Sequence, residues 1–175
     1  MNFSYKTKEL RGVNLLYTAT WIKGCVVSYY LLIVRDHICE GKLVKAREIF
    51  EDRVKRGIWG LGRRAAHVKH LKRGDRVVFY VGGKGGGLLA GCGTLSSEPY
   101  PITEAERKGL CLKSGNYTYL INISDVEIWS TPIPIRSVCN RLSFIANKEK
   151  PHVCLQGAVR KISEEDYQLI IEASK

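Results

Sequence analysis

The sequence has no CxxC pair, and none of its six cysteines has a histidine at zinc-finger spacing. Zinc ribbons and dithiol redox motifs are therefore excluded. The cysteines read as small hydrophobes in a reducing compartment, with one or two disulfides as the alternative for a hyperthermophile. There is no HExxH, no nucleophile elbow and no recognisable carboxylate pair, so no familiar hydrolase site is present. No secretory cleavage pattern, internal repeat or metal motif is found, and no cofactor is expected. The glycine loop at residues 82–87 lacks the GxxxxGK[ST] pattern and joins two apolar runs. It reads as a flexible hairpin connection whose Lys84 can still touch a phosphate. Finally, residues 53–73 contain no Asp or Glu at all.

That last absence is matched by an excess. The same stretch holds eight Lys or Arg and two His, within a chain of net charge +11. The final helix is acidic instead. Such clustering points to a polyanionic partner, nucleic acid before membrane, with a solvated surface as the plain alternative. With 175 residues and 45% apolar content, one domain with a real core is the simplest organisation. Residues 13–34 are largely apolar, but Lys23 interrupts them and Asn14, Thr18, Thr20 and Ser28 dilute them. They read as a peripheral extension or edge strand rather than a membrane span. Residues 1–28 are accordingly assigned to a poorly ordered or peripheral extension, and residues 29–175 to the domain. The expected compartment is the cytoplasm.

Along the chain, the run YYLLIV from Tyr29 reads as a buried strand ending at Arg35 and Asp36. Residues 42–56 carry Ala46, Ile49, Phe50 and Val54 on one helical face, and Gly57 stops them. Ile58 and Trp59 form a short strand. Residues 63–72 read as a second, basic helix. Residues 76–81 and 88–95 are strands about the glycine loop. A helical turn is expected at residues 103–108 and strand at 117–123, continuing through 126–129. Pro132 and Pro134 bar residues 131–135 from a central strand. A short helix follows through Cys139 and Leu142, then a loop. Ser163 caps the last helix, with Asp166 at N3 and Ile162 and Tyr167 as a staple.

The order YYLLIV, helix, GIWGLGRR, KRGDRVVFYV, LAGCGTL, NRLSFIANKEK and SEEDYQLI resembles the EVE domain family. This is a PUA-like group related to YTH readers of methylated RNA. The likeness runs from Tyr29 to Ala173, and GIWG followed by KRGDRVVFY is its most specific part. It implies an α+β fold, a small curved mixed β-barrel with flanking helices. It also implies non-enzymatic binding of a modified base in RNA or DNA, and no membrane partner. In YTH relatives a tryptophan at the position of Trp59 walls the base pocket. Gly60 then supplies backbone contacts, and Arg35 and Asp36 meet the base edge.

The residue types suit those roles. An indole offers a stacking face, and Asp36 and Arg35 offer an acceptor and donors, unless the two merely pair with each other. The second aromatic of the YTH cage has no counterpart in GGKGGGLLAGCG. Tyr80, Leu89 or Phe144 is expected to complete the pocket, with Leu61 beside Gly60, or that side stays open. Arg63, Arg64, Lys69, Lys72, Arg73 and Lys84 make the expected phosphate surface. Two other classes remain open: a nucleoside-processing enzyme of the ASCH type and a protein-interaction module.

Overall fold

The computed structural model describes residues 26–39, 41–83, 87–109 and 117–175. Most of the expected 1–28 extension, and Lys84, lie outside the described residues. The chain opens with β1 (Tyr29–Arg35), followed by a hairpin of β2 (His37–Cys39) and β3 (Lys42–Val44). Helix α1 (Ala46–Arg56) ends at Gly57, whose φ of 66° makes the left-handed cap that glycine adopts most readily. Then come β4 (Ile58–Gly62), β5 (Arg76–Gly82), β6 (Leu88–Leu95), β7 (Tyr100–Pro101) and α2 (Glu104–Gly109). The long β8 (Tyr117–Pro134) leads into α3 (Ile135–Val138), β9 (Val159–Ile162) and α4 (Glu164–Ala173).

Six strands lie in the order β4-β8-β6-β5-β1-β9, with β7 added beside β8. Among the described strands, β1 and β5 run parallel and the other pairs are antiparallel. These two strands are buried on both faces, which is why each reads as an unbroken apolar run. Their side chains alternate between two cores. Tyr30, Leu32, Val77 and Phe79 join Trp59 and Phe50 beneath α1. Leu31, Ile33, Val78 and Tyr80 join Leu89, Leu142, Ile145 and Ile170 on the face carrying α3 and α4. The period-two geometry of a strand thus sends Phe79 and Tyr80 to opposite sides of one sheet.

The curved mixed sheet with flanking helices agrees with the expected fold. Two local readings are corrected. Residues 42–44 form β3, and the helix begins at Ala46. Residues 63–72 contain only a 3-10 turn at Val68–His70, because His67 has a φ of 63° and breaks any continuous helix. Residues 131–134 do belong to a strand. That part of β8 pairs with β6, whereas β4 reaches only to Asn122, so it is an edge that tolerates prolines and not a central strand, as expected. The cap on α4 is as expected: the Ser163 hydroxyl accepts the Asp166 amide at 3.1 Å. No described helix is long and apolar enough to cross a membrane. Cys92, Cys139 and Cys154 are free thiols.

Candidate functional site

An open cavity of about 610 Å³ lies where β1 and β5 end. Arg35 and Asp36 form one wall, and Tyr80, Gly82 and Gly83 a second. Gly87, Leu88 and residues 134–136 bound it from the other side, and Pro151, His152 and Gln156 complete it. Its size falls within the range of small-molecule sites, and a few polar groups converge on partly apolar walls, as such sites require.

Each polar group is held by its surroundings. The Arg35 guanidinium donates to Gln156 Oε1 at 2.9 Å and to the Leu155 carbonyl. Asp36 Oδ1 accepts the Ala46 amide at 2.8 Å, tying the wall to the first turn of α1. Burial pushes the Tyr80 phenol above its ordinary range, and nearby Arg35 partly opposes this. Tyr80 lies so close to Gly87 that a Cβ there would fall 1.8 Å from its hydroxyl. The Ile135 amide donates to the Gly87 carbonyl at 3.0 Å, fixing that rim. Arg160 donates to the carbonyls of Cys154 and Phe144 at 2.7 and 2.9 Å, supporting the 3-10 turn Pro151–Leu155 that presents His152.

A second hollow of about 540 Å³ is lined by Arg63, His67, Lys69, His70, Lys72 and Tyr119, with Glu98 its one carboxylate. It shares no lining residue with the first. Lys72 lies before the start of β5 and Gly82 at its end. Those seven residues span roughly 20 Å.

The expected site residues therefore divide. Arg35, Asp36 and Tyr80 come together at the first cavity. Arg63, Lys69 and Lys72 come together at the second, while Arg64 and Arg73 are exposed outside its lining. Trp59, Gly60 and Leu61 line neither hollow. They are buried within β4, and the Trp59 ring is 0% exposed. Trp59 stacks on Phe79 at 5.3 Å, on the face of β5 opposite Tyr80, so the two cannot wall one pocket. Leu89 is sealed in the α3–α4 core, and Phe144 packs against that core beneath the guanidinium of Arg160. The expectation that Trp59 walls an open pocket is corrected, whereas Ala65, Val68 and Tyr119 of the basic hollow do pack against the core that holds it. The sequence did not place His152 or Gln156 in the pocket, although His152 is a candidate ligand or base. Their one signal was that His152 and Gln156 are the uncharged polar side chains of the segment 150–156 before Gly157.

One further cluster was not foreseen. The buried Arg53 guanidinium stands 4.9 Å over the Trp59 ring and 5.0 Å over Tyr117. Its Nη2 donates to the Tyr117 hydroxyl at 2.7 Å. Burial lowers its pKa, and Tyr117 resists that shift. The Trp59 indole N–H is buried with no hydrogen-bond partner among the described residues.

A curled mixed sheet with helices on both faces has the architecture of a PUA-like fold. The chain belongs to the EVE domain family, which matches residues 44–173. Among solved structures it is similar to the human THYN1 protein in complex with 5-methylcytosine-containing DNA. The identity is 14%, covering 85% of this chain and 98% of that one, with a TM-score of 0.58. A hypothetical protein from Leishmania major shares 15% identity over 85% of this chain and 95% of its own, at a TM-score of 0.56. The YTH domain of Zygosaccharomyces rouxii MRB1, solved with N6-methyladenosine RNA, shares 14% over 87% and 92%, at 0.53. These likenesses are of fold. No curated protein matches the sequence significantly.

Proposed function

We propose that this protein binds a modified nucleobase of RNA or DNA in the Arg35–Asp36–Tyr80 cavity, without reacting with it. The observation that carries the reading is the convergence of unlike hydrogen-bonding groups on one open hollow. Asp36 offers an acceptor, Arg35 and Tyr80 offer donors, and Gln156 offers both. A base edge presents that mixture of partners. Leu88, Pro134 and Pro151 supply apolar surface for a base face or an added methyl group. The similar proteins solved with methylated DNA and RNA support the ligand class. Arg63, Arg64, Lys69, Lys72 and Arg73 would hold phosphates of the same polymer at a distance from the base.

A second seat is favoured by one observation. Trp59 and Tyr117 already hold a planar cation, the Arg53 guanidinium. A cationic or electron-poor base has the same electrostatic shape and would stack there if Arg53 withdrew.

The test is fluorescence anisotropy with short single strands carrying one N6-methyladenine, one 5-methylcytosine or neither. A preference for a modified strand is expected, reduced about tenfold by His152→Ala with Gln156→Ala, about the energy of one good base contact. Both residues are exposed, so the fold should persist. Equal binding of all strands, unchanged by those substitutions, would sink the reading. Recovery of intact bound base by mass spectrometry is expected. Turnover of an acylated or alkylated nucleoside would replace it with the enzymatic alternative.

A further inference from the structure

The second hollow is walled by two segments whose backbones are tied down. On one side, β7 pairs with β8 so that Pro101 lies opposite Tyr119. The Tyr100 hydroxyl donates to Asn122 Oδ1 at 3.0 Å, and the Asn122 amide donates to the Ser97 hydroxyl at 2.9 Å. Glu98 and Pro99 are thereby held beside Tyr119, which lines the hollow and also packs against the core beneath α1. On the other side, the Ala65 amide donates to the Gly62 carbonyl at 2.9 Å. The Lys72 amide donates to the buried Asp75 carboxylate at 2.8 Å. Arg63, Lys69 and Lys72 are exposed there, and none forms a salt bridge among the described residues. Glu98 shares the hollow with these cations and pairs with none of them. The hollow thus combines a partly exposed ring, a carboxylate acceptor and three cations, all fixed in place and unpaired with one another.

We propose that this hollow seats a whole nucleotide whose base carries an exocyclic amine, not phosphate groups alone. The inference rests on the reading above that Arg63, Lys69 and Lys72 meet a nucleic-acid backbone. Tyr119 and Pro99 offer surface to the base face, since every base has a π-face that an aromatic ring can meet. The Glu98 carboxylate accepts from the amine, as acidic side chains do from cytosine N4. Arg63, Lys69 and Lys72 hold the phosphate through charge-assisted hydrogen bonds. The volume of about 540 Å³ lies in the range of small-molecule sites. An acidic peptide is a poorer fit. It satisfies the cations, but it sets like charge against Glu98 and leaves the Tyr119 ring without a partner. One strand would then seat two bases, a modified one at the first cavity and an ordinary amino-bearing one here.

The experiment titrates the full chain with cytidine monophosphate, uridine monophosphate and inorganic phosphate, followed by two-dimensional NMR. Cytidine monophosphate is expected to bind about tenfold tighter than inorganic phosphate, the scale of one stacked base. It should bind about fivefold tighter than uridine monophosphate, the scale of one hydrogen bond to a charged group. Signals of Val68 and Tyr119 should shift, and those of Tyr80 should not. Glu98→Gln, at an exposed position, should bring the two nucleotides within about twofold of each other, because an amide serves either base. Tyr119→Leu should erase the advantage over inorganic phosphate, and Tyr119→Phe, which keeps the ring, should retain it. If Tyr119→Leu does not fold, nuclear Overhauser contacts between the cytosine and Tyr119 rings in wild type decide: their presence supports the seat and their absence overturns it. Equal affinity for cytidine monophosphate and inorganic phosphate, or for the two nucleotides, overturns the proposal. So does no binding, a shift at Tyr80 in place of Tyr119, or equally tight binding of a glutamate-rich peptide. Failure of the modified-base reading is distinguishable, because it removes the wild-type preference for a modified strand, which these monophosphates do not probe.

Discussion

The Arg53 guanidinium lies 4.9 Å above the Trp59 indole, with no carboxylate in salt-bridge range among the described residues. Its charge is stabilised instead by two aromatic faces and by the Tyr117 hydroxyl. Tyr117→Phe leaves that ring in place and removes the hydroxyl. A buried hydrogen bond to a charged group is lost, so a cost of about 1–3 kcal/mol is expected in urea unfolding. An unchanged midpoint would mean that the hydroxyl does not hold Arg53.

Trp59 is expected to behave as a core residue. Trp59→Ala should cost about 3–5 kcal/mol, typical of an emptied core site. The milder Trp59→Phe should keep the preference for modified strands at conditions where both proteins are folded. Loss of that preference in a folded Trp59→Phe protein, with gain on Arg53→Ala, would move the base seat to the Trp59–Tyr117 slot.

Gly87 and Tyr80 are coupled through space. Gly87→Ala places a methyl group 1.8 Å from the Tyr80 hydroxyl, so the ring must move. Reduced stability and weaker binding are expected. In a Tyr80→Ala background the same substitution should cost much less, and a double-mutant cycle should show coupling on the order of 1 kcal/mol or more. Additive effects would deny the contact.

Salt dependence separates the two hollows. Arg63→Ala, Lys69→Ala and Lys72→Ala together should weaken every strand alike and flatten the log–log salt slope by about 2 units. The ratio of modified to unmodified affinity should not move. A changed ratio with an unchanged slope would assign these residues to base recognition instead.

The Tyr167 phenol is pushed up to about 12 from 10, mainly by burial, with Cys92 adding to the rise. A raised folded-state value favours the protonated form in the folded protein. Its stabilisation is complete below pH 10 and is lost as pH rises through 12. Tyr167→Phe should therefore flatten the alkaline fall in stability across that window, measured by urea unfolding at stepped pH. An identical slope in both proteins would count against this assignment.

Much of the fold was readable because burial on two faces leaves a plain mark. The runs Tyr29–Val34 in β1 and Val77–Val81 in β5 are apolar at every position, and the cap at Ser163 follows a local rule. The hairpin at residues 37–44 was hidden because Ile38 and Leu43 point outward, so no alternation with a core face could be seen. The basic stretch at 63–72 has helical composition, but composition cannot report the positive φ of His67. The site was half legible. Arg35 and Asp36 mark a strand end whatever the fold does there. Trp59 was misplaced because the sequence cannot say which face of the sheet a buried ring occupies. Nor could it show that Arg53, six residues earlier, would fill the space beside it.

Asp36 joins two compartments of the molecule. Its carboxylate borders the open hollow, yet it also tethers the leading end of the helix that carries Arg53 across the sheet. A guest that competes with the Ala46 amide for this oxygen is expected to loosen the tether, which would carry occupancy on one side to the other. Faster hydrogen exchange at the Ala46 amide upon loading would record that loosening, and an unaltered exchange rate would show the sides to be independent.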